Sequence, residues 1–117
     1  MIALVVDDET AIVQLVAEIL GDDGWDVVTA FDGRAALALL QQGLQPRIVV
    51  SDIMMPRLDG IGLYTAIRND LLLTVGIVLM SAGRTPPRLP SDEHAVFLSK
   101  PFDVDALMQA VDLLTHA

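Results

Sequence analysis

Three acids and one amine in this chain stand at the ends of apolar runs, where chemistry would be possible. Asp7 and Asp8 follow "IALVV", Asp52 follows "RIVVS", and Lys100 follows "AVFLS". If those runs are neighbouring strands about 4.8 Å apart, the carboxylates converge. Three anions in one place repel, and at least one holds its proton unless a cation neutralises them. Oxygen donors with room for waters suit a hard divalent ion, Mg²⁺ over Ca²⁺, and Lys100 supplies a further positive charge. A carboxylate beside a metal and an ammonium suits attack on phosphorus, because both cations neutralise phosphoryl oxygens that would repel the nucleophile. Asp52 is the candidate nucleophile, the lone acid at a strand end. Asp7 and Asp8 form a candidate metal-binding pair.

The elements needed to position these groups follow from periodicity. Short, β-branched runs at 2–6, 26–30, 47–51, 75–80 and 95–99 read as strands of a sheet buried on both faces. Between them lie amphipathic helices. The first, capped by Thr10 or Glu9, carries Ile12, Leu15, Val16, Ile19 and Leu20 inward and stops at Gly21. A second runs from about Asp32 to Gly43, and a third turns Leu63 and Ile67 inward. The last, capped by Asp103, buries Val104, Leu107, Met108, Val111 and Leu114. Strands alternating with helices imply right-handed crossovers and a parallel α/β sheet covered on both faces. Ligands of such sheets gather beyond the carboxyl ends of the strands, where Asp7, Asp8, Asp52, Ser81 and Lys100 stand. The turn "MMPRLDG" after Asp52 could aim a backbone carbonyl at the metal, with Met54 as a lid beside the pocket. One crossover breaks the pattern. "GRTPPRLPSDEHA" (83–95) holds three prolines and one aliphatic residue, so the helix between strands four and five should be missing or very short.

The 117 residues fit one domain, 1–117, either free-standing or cut from a longer chain. A hydrophobic fraction of 53% and mean hydropathy of +0.54 argue for a well-filled core. No apolar run reaches the ~20 residues of a membrane span, the N-terminus lacks the features of a signal peptide, and there is no cysteine for disulfides or thiolate metal sites. A cytoplasmic location is the default. The net charge of −9 argues against direct nucleic-acid binding.

"LVVDDE", "SDIMMPRLDG", "LMSA" and "FLSKPF" occur in the order and approximate spacing of the receiver domain of two-component response regulators, and the chain resembles that family over essentially its whole length. The resemblance implies a flavodoxin-like doubly wound sheet of five parallel strands in the order 2-1-3-4-5. It also implies that Asp52 is the phosphoacceptor, taking a phosphoryl group from the phosphohistidine of a sensor histidine kinase or histidine phosphotransfer protein. Asp8 then resembles the direct Mg²⁺ ligand, Asp7 its partner, often through water, and Asp52 and the Met54 backbone carbonyl the remaining protein ligands of the metal. Lys100 resembles the lysine that pairs with the phosphoryl group, Ser81 the hydroxyl that turns toward it, and Lys100–Pro101 a cis bond. Phe97 matches the aromatic switch position without the hydroxyl, and a core role for it stays open.

Such a protein is a phosphorylation switch for a downstream partner or effector domain. It promotes only its own phosphorylation and dephosphorylation and so is not an enzyme on other molecules; a homodimer is one possible output. Two alternatives belong to other classes. A phosphorylation-independent binding module would keep the fold and retire the chemistry. A small Mg²⁺-dependent aspartyl phosphohydrolase would show acids two apart after strand one, whereas Asp7 and Asp8 are adjacent. "DLLL" (70–73) adds Leu72 and Leu73 beyond what a loop needs, either packed under the sheet edge or part of a docking patch.

Overall fold

In the computed structural model, which describes residues 1–82 and 91–116, five parallel strands are hydrogen-bonded in the order β2-β1-β3-β4-β5. They are β1 (Ile2–Val6), β2 (Asp26–Ala30), β3 (Ile48–Asp52), β4 (Gly76–Ser81) and β5 (Ala95–Ser99). Helices α1 (Thr10–Asp22), α2 (Gly33–Gln41), α3 (Gly60–Thr65) and α4 (Val104–Thr115) connect and cover them, and α3 runs on into a wider π-type turn at Ala66–Asp70. The central strands are the apolar ones for a simple reason. β1 and β3 have a strand on each side and helices on both faces, so only hydrophobic side chains avoid a desolvation cost there.

Alternate residues feed two core layers. Ala3, Val5, Ile48, Val50, Val78 and Met80 face α1 and α4, where they meet Val13, Val16, Leu20, Leu107 and Val111. Leu4, Val6, Val49, Ile77 and Leu79 face α2 and α3, where they meet Ala36, Leu40, Leu63 and Ile67. Each fully buried leucine or isoleucine contributes about 1.5–3 kcal/mol. Trp25 is buried in the first layer as a packing residue.

Helix ends follow local chemistry. Asp32, Asp59 and Asp103 cap α2, α3 and α4, each side chain accepting a backbone N–H at 2.7 Å. The expectation for α1 needs correction: Glu9 is its cap residue, but no side chain caps the helix. The carboxylate of Asp7 instead takes the Glu9 N–H at 2.9 Å. Two inward assignments also fail. Leu15 and Val104 are about half exposed, and Val13 fills the α1 position that Leu15 was expected to take. Leu72 does not pack under the sheet edge; it is 78% exposed.

Among the described residues no helix lies between β4 and β5. The expectation for 83–95 falls outside the described residues from 83 to 90, while residues 91–94 form coil and a turn into β5. That turn is held by a polar hub. Asp92 accepts from Tyr64 Oη (2.7 Å), Arg68 Nε (2.8 Å) and the His94 N–H (2.8 Å). Arg68 also donates to the carbonyls of Leu73, Val75 and His94, so one guanidinium ties the entries of β4 and β5 together. No helix among the described residues is long and apolar enough to cross a membrane.

Candidate functional site: an acidic pocket at the carboxyl ends of the strands

The sheet order puts β1 beside β3, so the chain leaving each strand brings Asp7, Asp8 and Asp52 together. Each offers an oxygen within 4.8 Å of the others. Asp7 is fully buried, Asp52 is 5% exposed and Asp8 faces solvent. Lys100, delivered by the end of β5, reaches between the two buried acids. Its Nζ lies 2.9 Å from Asp7 Oδ2 and 3.1 Å from Asp52 Oδ1. The Lys100 N–H donates to the Ser81 carbonyl at 2.7 Å, which fixes the lysine backbone to the end of β4. The Lys100–Pro101 bond is cis.

The electrostatics follow from this crowding. Burial pushes the Asp52 carboxyl above its ordinary range, and the charges of Asp7 and Asp8 push the same way, together outweighing the Lys100 hydrogen bond and charge. Burial alone would lower the Lys100 ammonium, but its bonds to Asp7 and Asp52 reverse that and hold it above its usual value. One ammonium faces three carboxylates. The surplus negative charge, the all-oxygen donor set and the mutual approach of the three oxygens fit a hard divalent cation.

The walls of the site are built by the loop after β3. The Ile53 N–H donates to the Met80 carbonyl (2.8 Å) and the Gly60 N–H to the Ile53 carbonyl (2.9 Å), closing the loop over the strand end. Gly60 is required by close approach: a Cβ there would collide with the Asp52 carbonyl oxygen and lie 2.7 Å from Ile53 Cα. Arg57 adopts a left-handed backbone (φ 69°) and pairs with Asp32 at 2.7 Å, joining this loop to the start of α2. Met54 stands 73% exposed beside the opening. The resulting pocket, about 370 Å³, is lined by Asp8, Glu9, Asp52, Met54, Ser81 and Lys100 among others. Ser81 closes β4 and is half-buried. Phe97 stands apart from the pocket lining: it is half-buried against the layer of Leu79 and Ile77, its partner in register being Leu79.

Asp8, Asp52, Met54, Ser81 and Lys100 therefore line one pocket, and buried Asp7 joins them through Lys100, whereas Pro101 and Phe97 lie outside that lining. Sequence reasoning missed the structural role of Gly60 and the Arg57–Asp32 pair. The "DG" at 59–60, a cap residue followed by a residue without a side chain, was the available signal for the first. The second joins loops 25 residues apart and left none.

Known proteins are similar in sequence and in fold. The sequence model of the response regulator receiver domain matches residues 3–112. A probable transcriptional regulator ycf27 of Guillardia theta is 38% identical over 92% of this chain and 44% of its own length. The transcriptional regulatory protein GlrR of Escherichia coli is 34% identical over 93% of this chain and 25% of its own length. The chain thus spans less than half of either regulator. Among solved structures, the chemotaxis protein CheY4 of Vibrio cholerae aligns with a TM-score of 0.83 at 28% identity, over 97% of both chains. The receiver domain of the hybrid histidine kinase CckA aligns with a TM-score of 0.81 at 29% identity, over 97% of this chain and 99% of the other.

Proposed function

Because this chain belongs to the response regulator receiver domains of two-component systems, we propose that residues 1–117 form one cytoplasmic receiver domain with Asp52 as its phosphoacceptor. Receiver domains are signalling switches. The observation that carries the assignment is the position of Asp52: a buried acid at a central strand end, 3.1 Å from Lys100 Nζ and facing the pocket. Its donor is the phosphohistidine of a sensor histidine kinase or histidine phosphotransfer protein.

In the transfer, a carboxylate oxygen of Asp52 attacks phosphorus as the phosphorus–nitrogen bond to imidazole breaks. The electron pair leaves on the imidazole nitrogen, and an acyl phosphate forms on Asp52. Lys100 then exchanges its contact with Asp52 for one with a phosphoryl oxygen while keeping Asp7. Asp8, exposed at the pocket mouth, would hold Mg²⁺ directly, with Asp7 acting through water and Asp52 and the Met54 carbonyl completing the protein set. When bound, Mg²⁺ supplies charge neutralisation at the phosphoryl oxygens. The Ser81 hydroxyl turns toward the phosphoryl group, and Phe97, half-buried on β5 beside Leu79, repacks as that happens. The altered surface is read by a downstream protein or effector domain. The domain acts on its own phosphate alone and not on a separate substrate.

Intact mass after incubation with acetyl phosphate tests this. One added phosphoryl group that requires both Mg²⁺ and Asp52 is expected. An adduct retained in Asp52→Ala, or none in a rapidly quenched sample of folded protein, refutes it.

A further inference from the structure

The loop between β3 and α3 holds a residue that backbone preference disfavours there. Arg57 sits at φ 69°, a left-handed conformation that glycine or asparagine adopts at least cost. Other residues persist in such conformations only where their surroundings hold them, and they gather at functional sites. Here the side chain itself does the holding: Arg57 Nη1 donates to Asp32 Oδ2 at 2.7 Å. Asp32 uses its other oxygen to cap α2, accepting the Ala35 N–H at 2.7 Å. One carboxylate therefore fastens the loop to the helix that it starts. The backbones meet at the same junction, since a Cβ on Gly33 would collide with the Leu58 carbonyl oxygen and lie 2.9 Å from its carbonyl carbon.

Stability does not account for this arrangement. The Arg57 side chain is 67% exposed, and exposed ion pairs contribute little to folding. The ends of the loop are already pinned through Ile53 and Gly60, and Met55 and Leu58 pack onto the core layer beneath α2 and α3. Met54, between Asp52 and Arg57, turns outward instead and lines the acidic pocket.

We propose that Arg57 and Asp32 are positioning residues: their ion pair latches the loop against α2 and so keeps Met54, with the backbone carbonyl offered to Mg²⁺, at the acidic pocket. The inference rests on the reading of that pocket as a Mg²⁺ site. Neither residue lines the pocket, so the effect passes through the loop. Mg²⁺ demands near-ideal octahedral geometry, and a carbonyl that wanders with an unlatched loop is a poorer ligand even where the fold is intact. The latch also has a sign that charge alone does not. Arg57 is a cation in the wall of an acidic site, so on electrostatics alone its removal would tighten Mg²⁺ binding. Loss of the latch weakens it.

Mg²⁺ titration followed by nuclear magnetic resonance, with melting temperatures measured in EDTA, tests this on the native chain, Arg57→Asn, Arg57→Lys, Asp32→Ser and the double variant Arg57→Asn/Asp32→Ser. Asparagine tolerates the left-handed backbone but is too short to reach Asp32. Serine keeps a cap for α2 with its single oxygen. Every variant should melt within about 2 °C of native. Arg57→Asn and Asp32→Ser should each raise the Mg²⁺ Kd by about threefold to fivefold, the double variant no further, and Arg57→Lys by less. An Arg57→Asn protein that binds Mg²⁺ as tightly as native, or more tightly, overturns the inference and leaves the metal reading standing. So does a double variant in which the two losses multiply, or a loss of affinity matched by a fall of several degrees in EDTA, because the pair would then be structural. A native chain that binds Mg²⁺ no better than Asp8→Ala overturns the metal reading and the latch with it.

Discussion

Adding a single methyl group at Gly60 tests how tightly α3 is locked to the strand end that carries Asp52. An ideal Cβ at Gly60 would run into the Asp52 carbonyl oxygen, with Ile53 Cα at 2.7 Å and the Asp52 carbonyl carbon at 3.0 Å. All three are backbone atoms, so no rotamer change relieves the clash and the loop after β3 must shift. Forcing extra volume into packed structure costs about 1–3 kcal/mol, and about 2 kcal/mol is expected for Gly60→Ala. With about 2.1 cal/mol/K of unfolding entropy per residue, 117 residues give about 250 cal/mol/K, so the melting temperature should fall by about 8 °C. Gly21→Ala is the matched control. It lies in the last turn of α1, and apart from that helix's own backbone no heavy atom lies within 4 Å of its Cβ position. Alanine there should add about 0.5–1 kcal/mol through helix propensity, a rise of about 2–4 °C. Thermal unfolding followed by circular dichroism reads both, and acetyl phosphate labelling of the two folded variants reads the site. Gly60→Ala should label more slowly than native and Gly21→Ala at the native rate. A Gly60→Ala protein melting within 2 °C of native would refute the argument that this close approach sets the position of Asp52.

Removing metal should cost stability in proportion to site occupancy: Mg²⁺ at a hundredfold excess over Kd adds about 2.7 kcal/mol, chelation by EDTA abolishes the gain, and Asp8→Ala should melt identically with and without the ion. Acid should expose the Asp92 hub. Burial alone would raise its carboxyl, but hydrogen bonds from Arg68, Tyr64 and the His94 amide outweigh it and hold it at about 2, below the ordinary 3.8. A depressed folded pKa means stability that is present above the unfolded value and lost as pH falls toward the folded one. The native chain should lose about 1 kcal/mol from this group between pH 5 and pH 3. Asp92→Asn should lack that part of the slope in urea titrations. At the start of α2, Asp32→Ala removes a cap and should cost about 1 kcal/mol, or about 4 °C. Asp32→Asn keeps an acceptor for the Ala35 N–H and loses only a solvent-exposed pair with Arg57, so its melting temperature should move by about 2 °C or less.

Strand positions were legible because a sheet buried on both faces leaves an unmistakable run of β-branched residues, and observed strand bounds differ from the expected ones by at most one residue. The acids at strand ends were legible for the complementary reason: a charge directly after such a run must sit at the sheet's rim. Interactions set by tertiary approach left no local trace. Nothing in "VVDDE" says that Asp7 is the buried member of its pair, holding both the Glu9 amide and Lys100. Nothing in "NDLLLT" says that Arg68, the residue just before it, reaches the entry of β5 at His94. Helical periodicity likewise misplaced Leu15 and Val104, because apolar spacing identifies a stripe but not which edge of it the neighbouring helix covers. The resemblance carried what periodicity could not, namely the strand order and the cis bond at Lys100–Pro101.

The ion pair between Asp7 and Lys100 spans 93 positions, and that separation has a consequence for how the chain is made. Synthesis delivers all three carboxylates by residue 52 and their ammonium only at residue 100. At about 5–20 residues per second, the interval is about 2–10 s. During it, docking β1 against β3 would bury convergent anions with no internal counterion. The order of translation therefore disfavours early closure of the central strands and favours final assembly once β5 has emerged. A ribosome-bound chain halted before residue 100 should gain far more structure from added Mg²⁺ than the completed one.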